Sequence, residues 1–496
     1  MTLSGPRLRL LVTALLVVSF LGALDHTIVS TSLATMAGSL GALEQMSWVV
    51  VAYTLAATVL LPVLGKLGDL VGPRRVFLAS LVLFLLASAA CGFAQDMAQL
   101  VAARVVQGMS SAGLQLMSQT IVALVASPRQ RPRLLSIIGA AFPIAILVGP
   151  ILGGAITDSL GWQWVFWINL PFCLVALVLA LVAIPEVHGG GGRRRVDVAG
   201  AVLFTGAMIA LVLAVTWVGH PGSATAALVA AALAVAGFAL FFVVEVRAPE
   251  PIVPLRLFRN RSVAAGIALS AIIGIGLFSV VSYIPTYIQM AYRTTATVSG
   301  LVPIATVFGM LVSNLLTGWL SSRTGHYRGF AIAGTSLATA GLLAMAFLPI
   351  ELPLWAPMAI MAVVGIGTGA FMSLVLAIVQ GAAPRADTGA VTATTNLVRQ
   401  VGATLGTAVI GGILGAGLAG ALPAFLDPST LTPEVARQAT LEVQVQISEI
   451  YRAVLGPVFA ALAATYALGI VAAVLLPAGR LADESPVPAA TQSQPA

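Results

Sequence analysis

The chain is a succession of apolar runs, each about 20 residues long, with almost every charge confined to the connections between them. A helix of that length crosses the hydrocarbon core of a bilayer and satisfies its own backbone hydrogen bonds on the way. The runs fall at 10–34, 46–64, 76–94, 99–125, 134–156, 163–184, 198–218, 224–246, 263–285, 298–319, 329–349, 353–378, 388–415 and 455–477. They predict an all-α polytopic membrane protein with fourteen spans. Composition excludes the soluble alternative: of 496 residues, 59% are hydrophobic and 8% charged, against about 25% charged in soluble domains. Two cysteines exclude a disulfide framework or a thiolate metal site, and four histidines leave little for histidine-based metal chemistry. No metal and no cofactor is expected.

The net charge of +7 is a topology signal rather than a nucleic-acid one, because no basic stripe with interleaved aromatics exists. With the N-terminus inside, one face collects Arg7, Arg9, Lys66, Arg74, Arg75, Arg129, Arg131, Arg133 and Arg193 to Arg195. It also collects Arg247, Arg256, Arg259, Arg261, Arg323, Arg328, Arg385 and Arg480. The other face has only Arg293, Arg437 and Arg452. This bias assigns both termini to the cytoplasm. The first run lacks a small-residue cleavage site and reads as a retained anchor.

The chain divides into sections. Residues 1–187 form a six-span bundle. Residues 188–261 carry the flexible basic connection Gly189 to Arg195, two inserted spans and the segment Pro251 to Arg261. Residues 262–478 form the last six spans, with an outer loop at 416–454 in which Pro433 to Tyr451 suggests a short amphipathic or hairpin-like structure. Residues 479–496 form a disordered cytoplasmic tail. An internal repeat supports this plan: Gly65 to Gly72 (GKLGDLVG) is echoed by Gly318 to Gly325 (GWLSSRTG). Repeated bundles are a transporter plan, with the binding site at their interface.

Of the 17 acids, only Asp25 falls near the middle of a span. Burial disfavours the charged form of a carboxyl, so an acid there could exchange protons near neutral pH. The plainer reading is a carboxylate permanently paired with an arginine or a backbone amide. His26, its neighbour, is a second proton site or a simple polar contact. Arg104, in the fourth span, cannot shed its charge and must face an acid, a watery cavity or backbone carbonyls. Gln107, one turn on, shares its face. Arg399, near Asn396, sits deep or snorkels. Gly149-Pro150 with Gly153-Gly154 fits a pivot or seal where two halves slide, or a packing kink. Phe142, Phe204, Phe278, Tyr283, Tyr287, Met290 and Phe371 could line an apolar pocket or pack against helices and lipid.

Gly65 to Arg75 (GKLGDLVGPRR) resembles the cytoplasmic loop signature of the major facilitator superfamily, and Arg104 to Gly108 (RVVQG) its fourth-span motif. Gly149, Pro150, Gly153 and Gly154 resemble the fifth-span motif of its antiporters. Leu24-Asp25 with Thr27-Ile28-Val29, and Gly161 to Pro171 (GWQWVFWINLP), are similar to segments of the fourteen-span drug:proton antiporters. The resemblance implies a major facilitator fold and a rocking exporter that exchanges protons for a hydrophobic, often cationic compound. It also implies coupling roles for Asp25 and Arg104, and a lock between halves made by Asp69 with Arg75, within a gating set that includes Gly65, Gly72 and Arg74. Leu70, Pro73, Ala145 and Gln163 depart from the family pattern, and Ser322 stands where the second half would repeat Asp69. These departures bear on the lock, not on the fold.

The expected function is therefore a secondary transporter in the bacterial inner membrane, driven by the proton gradient and acting as a monomer. Its partners would be protons, the bilayer and a lipophilic small molecule, with no nucleic acid. A single membrane acid favours monovalent cationic, neutral or zwitterionic cargo. The candidate cavity residues are Gln107, Phe142, Phe278, Tyr283, Tyr287, Asn396 and Arg399. Export of a dedicated endogenous metabolite, lipid, siderophore or antibiotic is the alternative. An integral membrane enzyme is disfavoured by the scattering of His26, His188, His220 and His326. ATP drive is excluded, since no Gly-x-x-x-x-Gly-Lys loop exists.

Overall fold

A computed structural model of the chain describes residues 5–41, 45–186, 197–217, 224–248, 251, 253, 255–421 and 433–481. The glycine–arginine connection at 189–195 and the tail beyond residue 481 lie outside the described residues, as do Glu44, His188, His220 and Asp427. The first six expected spans are built from α1 (Pro6–Ser39), α2 (Met46–Val71), α3 (Pro73–Gly92), α4 (Met97–Val125), α5 (Arg131–Gly139), α6 (Ala141–Leu160), α7 (Trp164–Trp167) and α8 (Asn169–Ala183). The inserted pair is α9 (Val198–Trp217) and α10 (Ala224–Arg247). The last section holds α11 (Arg261–Ala291), α12 (Ala296–Ser299), α13 (Leu301–Thr324), α14 (Arg328–Ala346), α15 (Trp355–Ala382), α16 (Thr388–Ala421), α17 (Pro433–Gln438) and α18 (Leu441–Val474).

Thirteen candidate spans among the described residues are long and apolar enough to cross a membrane. The fourth run is a 29-residue helix, α4, that falls short of them in hydropathy because Arg104 and several glutamines and serines interrupt it. The fifth span runs from Arg131 to Leu160 as two helical pieces, α5 and α6, that meet at Ala140. The last span differs from its expected limits: α18 starts at Leu441, fourteen residues before the expected 455. Residues 441–454 of the supposed outer loop are thus the overhang of a long helix, preceded by the short α17.

Local signals set the ends. Asp96 caps α4 by accepting the Gln99 amide at 2.8 Å, and Asn260 caps α11 by accepting the Ser262 amide at 2.9 Å. Gly72 sits at φ 100° between α2 and α3, and Gly325 at φ 75° closes α13, backbone angles that glycine alone adopts without strain. Large apolar side chains face outward along the helices, including Ile151, Leu228, Val235 and Phe308, as expected where the surroundings are lipid.

The two halves repeat one another in packing as well as in sequence. α2 packs on α4, α1 on α6 and α3 on α8; the second half repeats these as α13 on α15, α11 on α16 and α14 on α18. Gly108 of α4 lies against the Tyr53 carbonyl, where a Cβ would come within 2.2 Å. Gly365 of α15 lies in the same way against the Thr306 carbonyl, at 1.9 Å. Tyr53 and Thr306 are separated by the spacing that separates Gly65 from Gly318, so one ancestral contact is present twice. Each half has an apolar core, and that of the first half takes in Leu376, Ala377 and Ala393 of the second. The inserted helix α9 packs by Phe204 and Met208 over Val59 of α2 and Leu397 of α16, across the junction of the halves. A short arm after α10 is clamped to the second half by Arg256, which gives Asp387 two hydrogen bonds of 2.8 and 3.0 Å.

Candidate functional site

The first half holds a closed polar network at its centre. Asp25 of α1 is fully buried, and its Oδ2 accepts Arg104 Nη1 from α4 at 2.6 Å. Its Oδ1 accepts Gln107 Nε2 at 2.9 Å and Asn169 Nδ2 at 3.1 Å. Arg104 also donates to the Val49 carbonyl at 3.2 Å and to Gln107 Oε1 at 2.9 Å. The Tyr53 ring stacks on its guanidinium, with the centroid 4.1 Å away. Ser88 joins Gln107 and Asn169 from α3, and donates to the Phe166 carbonyl at 2.9 Å. The carboxylate of α1 is thus held by side chains of α4 and α8, and residues of α2, α3 and α7 close the network around it. The open question of Arg104's partner is resolved: it is Asp25. The arrangement is the paired state of that acid. A proton arriving on Asp25 would remove the charge that holds Arg104, and the network would have to rearrange.

Beside this network lies a cavity of about 200 Å³ between the halves. Its wall is largely apolar, from Val18, Leu61, Ile138, Leu277 and Met372, with Phe142 and Phe278 facing each other at 6.1 Å between centroids. Its polar points include His26, Tyr53, Gln115, Gln119, Arg399 and Gln400, with several serine and threonine hydroxyls. The Ser19 hydroxyl, also on the wall, is buried without a hydrogen-bond partner among the described residues. Asp25 is absent from the wall. Tyr53 stands between, stacked on Arg104 on one side and lining the cavity on the other. His26 is accessible from the cavity, 6.0 Å from the Tyr53 ring.

The halves close together at the end that carries the arginine-rich connections. Asp69, at the end of α2, accepts the amides of Gly389 at 2.8 Å and Ala390 at 2.9 Å, which begin α16. A carboxylate on the positive end of a helix dipole is a favourable pairing. Gly65 permits it: a Cβ there would lie 2.6 Å from the Ala393 methyl carbon. Where the second half lacks an acid, the polarity is inverted. Arg129, between α4 and α5, donates to the carbonyls of Ser322 at 3.0 Å and of Arg323, at the carbonyl end of α13. Gln119 of α4 completes the seam, accepting Asn396 Nδ2 at 2.6 Å, while its carbonyl accepts Gln380 Nε2 at 3.2 Å. Asn314 donates to the Ser136 carbonyl at 3.2 Å.

Several expected roles change. Arg75 is exposed and makes no hydrogen bond or ion pair among the described residues, so it takes no part in the lock. Arg74 turns to its own half, to Glu186 at 3.1 Å and the Leu181 carbonyl at 3.0 Å. Gly149 and Gly153 are not a sliding seal between halves but a close seat for α1. A Cβ would come within 2.1 Å of Thr27 Oγ1 and 2.2 Å of Thr31 Oγ1 respectively, whereas Gly154 faces open space. Pro150 lies inside α6, exposed and tolerated within it. Gln107 belongs to the ion-pair network rather than the cavity. Tyr283 donates to the Thr407 carbonyl at 2.8 Å, and Tyr287, Met290 and Phe371 are core. Phe204 packs the inserted pair. Asn396 supports the cavity from behind by holding Arg399. Phe142, Phe278, Arg399 and His26 do line it. Asn169, Ser88, Tyr53 and Gln119 are site residues that the sequence does not single out, since each is an ordinary polar or aromatic side chain within an apolar run.

The family model of the Major Facilitator Superfamily matches residues 15–407. An uncharacterized MFS-type transporter of Mycobacterium tuberculosis (strain H37Rv) is 34% identical over 492 residues, 96% of this chain and 70% of the relative. The multidrug transporter protein MdtP of Bacillus subtilis (strain 168) is 31% identical over 414 residues, 82% of this chain and 75% of the relative. Among solved structures, the human organic anion transporter MFSD10 shares the fold with a TM-score of 0.61, covering 95% of this chain and 100% of that one at 14% identity.

Proposed function

The chain belongs to the Major Facilitator Superfamily and is a membrane transporter, not an enzyme, and from that premise we propose that it exports lipophilic or amphipathic small molecules in exchange for protons. The observation that carries this reading is the apolar cavity between the halves, sealed at one end and backed by a buried carboxylate–guanidinium pair. The arginine bias makes the sealed end cytoplasmic in a bacterial inner membrane. The conformation is then the one closed to the cytoplasm, and Asp69 and Arg129 are the contacts that part when it opens inward. A relative named Efflux pump FUS6, of Gibberella fujikuroi, 30% identical over 86% of this chain, supports the outward direction.

Coupling follows from exclusion. Arg104 keeps its charge in any state, so protonation of Asp25 leaves a buried cation to be carried by the Tyr53 ring, the Val49 carbonyl and Gln107. That shift reaches the cavity through Tyr53 and His26, which is how proton and cargo would sense one another. Reconstitution into liposomes with an imposed pH gradient and a panel of fluorescent compounds tests this. Gradient-driven movement of several unrelated dyes is expected. Uptake indifferent to the gradient would refute coupling, and strict selection of one metabolite-like compound would favour a dedicated exporter.

A further inference from the structure

The cavity carries a positive charge that the protein does not match. Arg399 of α16 lines it and makes one hydrogen bond, from Nη2 to Asn396 Oδ1 at 2.6 Å. No carboxylate among the described residues pairs with it. Asn396 is itself fixed, donating to Gln119 Oε1 of the other half at 2.6 Å and to the Thr392 carbonyl at 3.0 Å. The amide that orients the guanidinium is thus anchored across the interface. A guanidinium has five N–H donors in a rigid fork, and most of this one are left to the cavity.

The remaining ionisable groups on the wall are His26 and Tyr53; no aspartate or glutamate lines it. Asp25 lies behind Tyr53 with Arg104 as its counter-ion. An arginine facing an apolar space cannot neutralise itself, and a lone charge in such surroundings is costly unless an anion joins it. A planar oxyanion is the group that suits an open guanidinium fork.

We propose that the cavity takes lipophilic organic anions, with Arg399 gripping a carboxylate or similar planar oxyanion while Phe142 and Phe278 clasp the apolar body. This narrows the transport reading above and rests on it. It also departs from the monovalent cationic, neutral or zwitterionic cargo expected from the sequence. The one membrane acid is spent on Arg104, and the charged group on the cavity wall is Arg399.

Three probes of one shape and different charge decide it: pyrenebutyrate, its methyl ester and pyrenebutylamine. Binding is measured on the purified full chain in detergent, without a pH gradient, so that failure of proton coupling cannot mimic failure of the charge preference. The wild type should bind the carboxylate about tenfold or more tightly than the ester or the amine, the scale of a charge-assisted hydrogen bond. Arg399→Gln should bring the carboxylate to within about twofold of the ester while leaving ester binding in place. Arg399→Lys should keep part of the preference, and it serves as the folded control that keeps the charge. A preference for the amine, a carboxylate preference unchanged in Arg399→Gln, or no saturable binding of any probe overturns the proposal. The same proteins in liposomes then report coupling separately: anion binding without gradient dependence would sink proton exchange and leave the cargo class standing.

Discussion

Two arginines lie deep in this bundle and are held in opposite ways. Arg104 has a carboxylate, a carbonyl, an amide oxygen and an aromatic face, all supplied by its own half. Arg399 has one amide oxygen. The packing repeat places Met361 of α15 where Arg104 stands in α4, four residues before the glycine that meets the neighbouring carbonyl, and Met361 is fully buried in an apolar core. The halves therefore share a scaffold and divide the chemistry. One neutralises its charge during folding; the other leaves a charge for something that comes and goes.

The strongest test of that contrast is a pair of double-mutant cycles. Removing one partner from a buried pair costs about 3–5 kcal/mol, because the other charge is stranded. Asp25→Asn and Arg104→Gln should each lower the midpoint of thermal unfolding in detergent more than the Asp25→Asn/Arg104→Gln double does. Arg399→Gln and Asn396→Ala should show coupling of about 1 kcal/mol or less. Equal coupling at both sites would erase the distinction. Asp25→Asn should in addition abolish gradient-driven efflux while the protein still inserts; transport at the wild-type rate in vesicles would remove the acid from the coupling step.

Asp69 sharpens the comparison from between the two extremes, since it is satisfied, but by the opposite half. Asp69→Asn should cut turnover about three- to tenfold, the scale of a lost charge at a helix end, with nearly unchanged substrate binding. A parallel loss of binding would argue against a gating role. Arg399→Gln alone should shift stability by less than about 1 kcal/mol, because one hydrogen bond is lost; thermal unfolding reads this, and a drop as large as that of Arg104→Gln would mean that Arg399 too is structural. Smallest of all, a reducing agent should leave transport untouched, because Cys91 and Cys173 are both buried and unpaired; clear inactivation would contradict this.

Much of this was legible in the sequence. Span positions followed from run length, and Asp25 and Arg104 stood out because charge is expensive in hydrocarbon. Their contact did not follow, because residues 79 apart meet only through the rotational setting of α1 against α4. The same limit explains the aromatics. A bundle helix is apolar all round, so periodicity does not separate Phe142 and Phe278, which face the cavity, from Tyr287 and Phe371, which face the core. In the sequence Arg129 is one of many topology charges, and its hold on the end of α13 depends on a chain direction that only the fold supplies. Ser322 marked the missing acid of the second lock correctly, yet gave no hint that the donor there would be a cation from the facing half.

The inserted pair has a consequence for how the protein meets the bilayer. By lying over the α2–α16 joint, α9 shields one flank from acyl chains. The related joint on the far flank, α5 and α6 beside α13, has no such cover among the described residues. The two junctions between the halves are thus unlike in their surroundings: an inserted helix roofs one, and among the described residues nothing roofs the other.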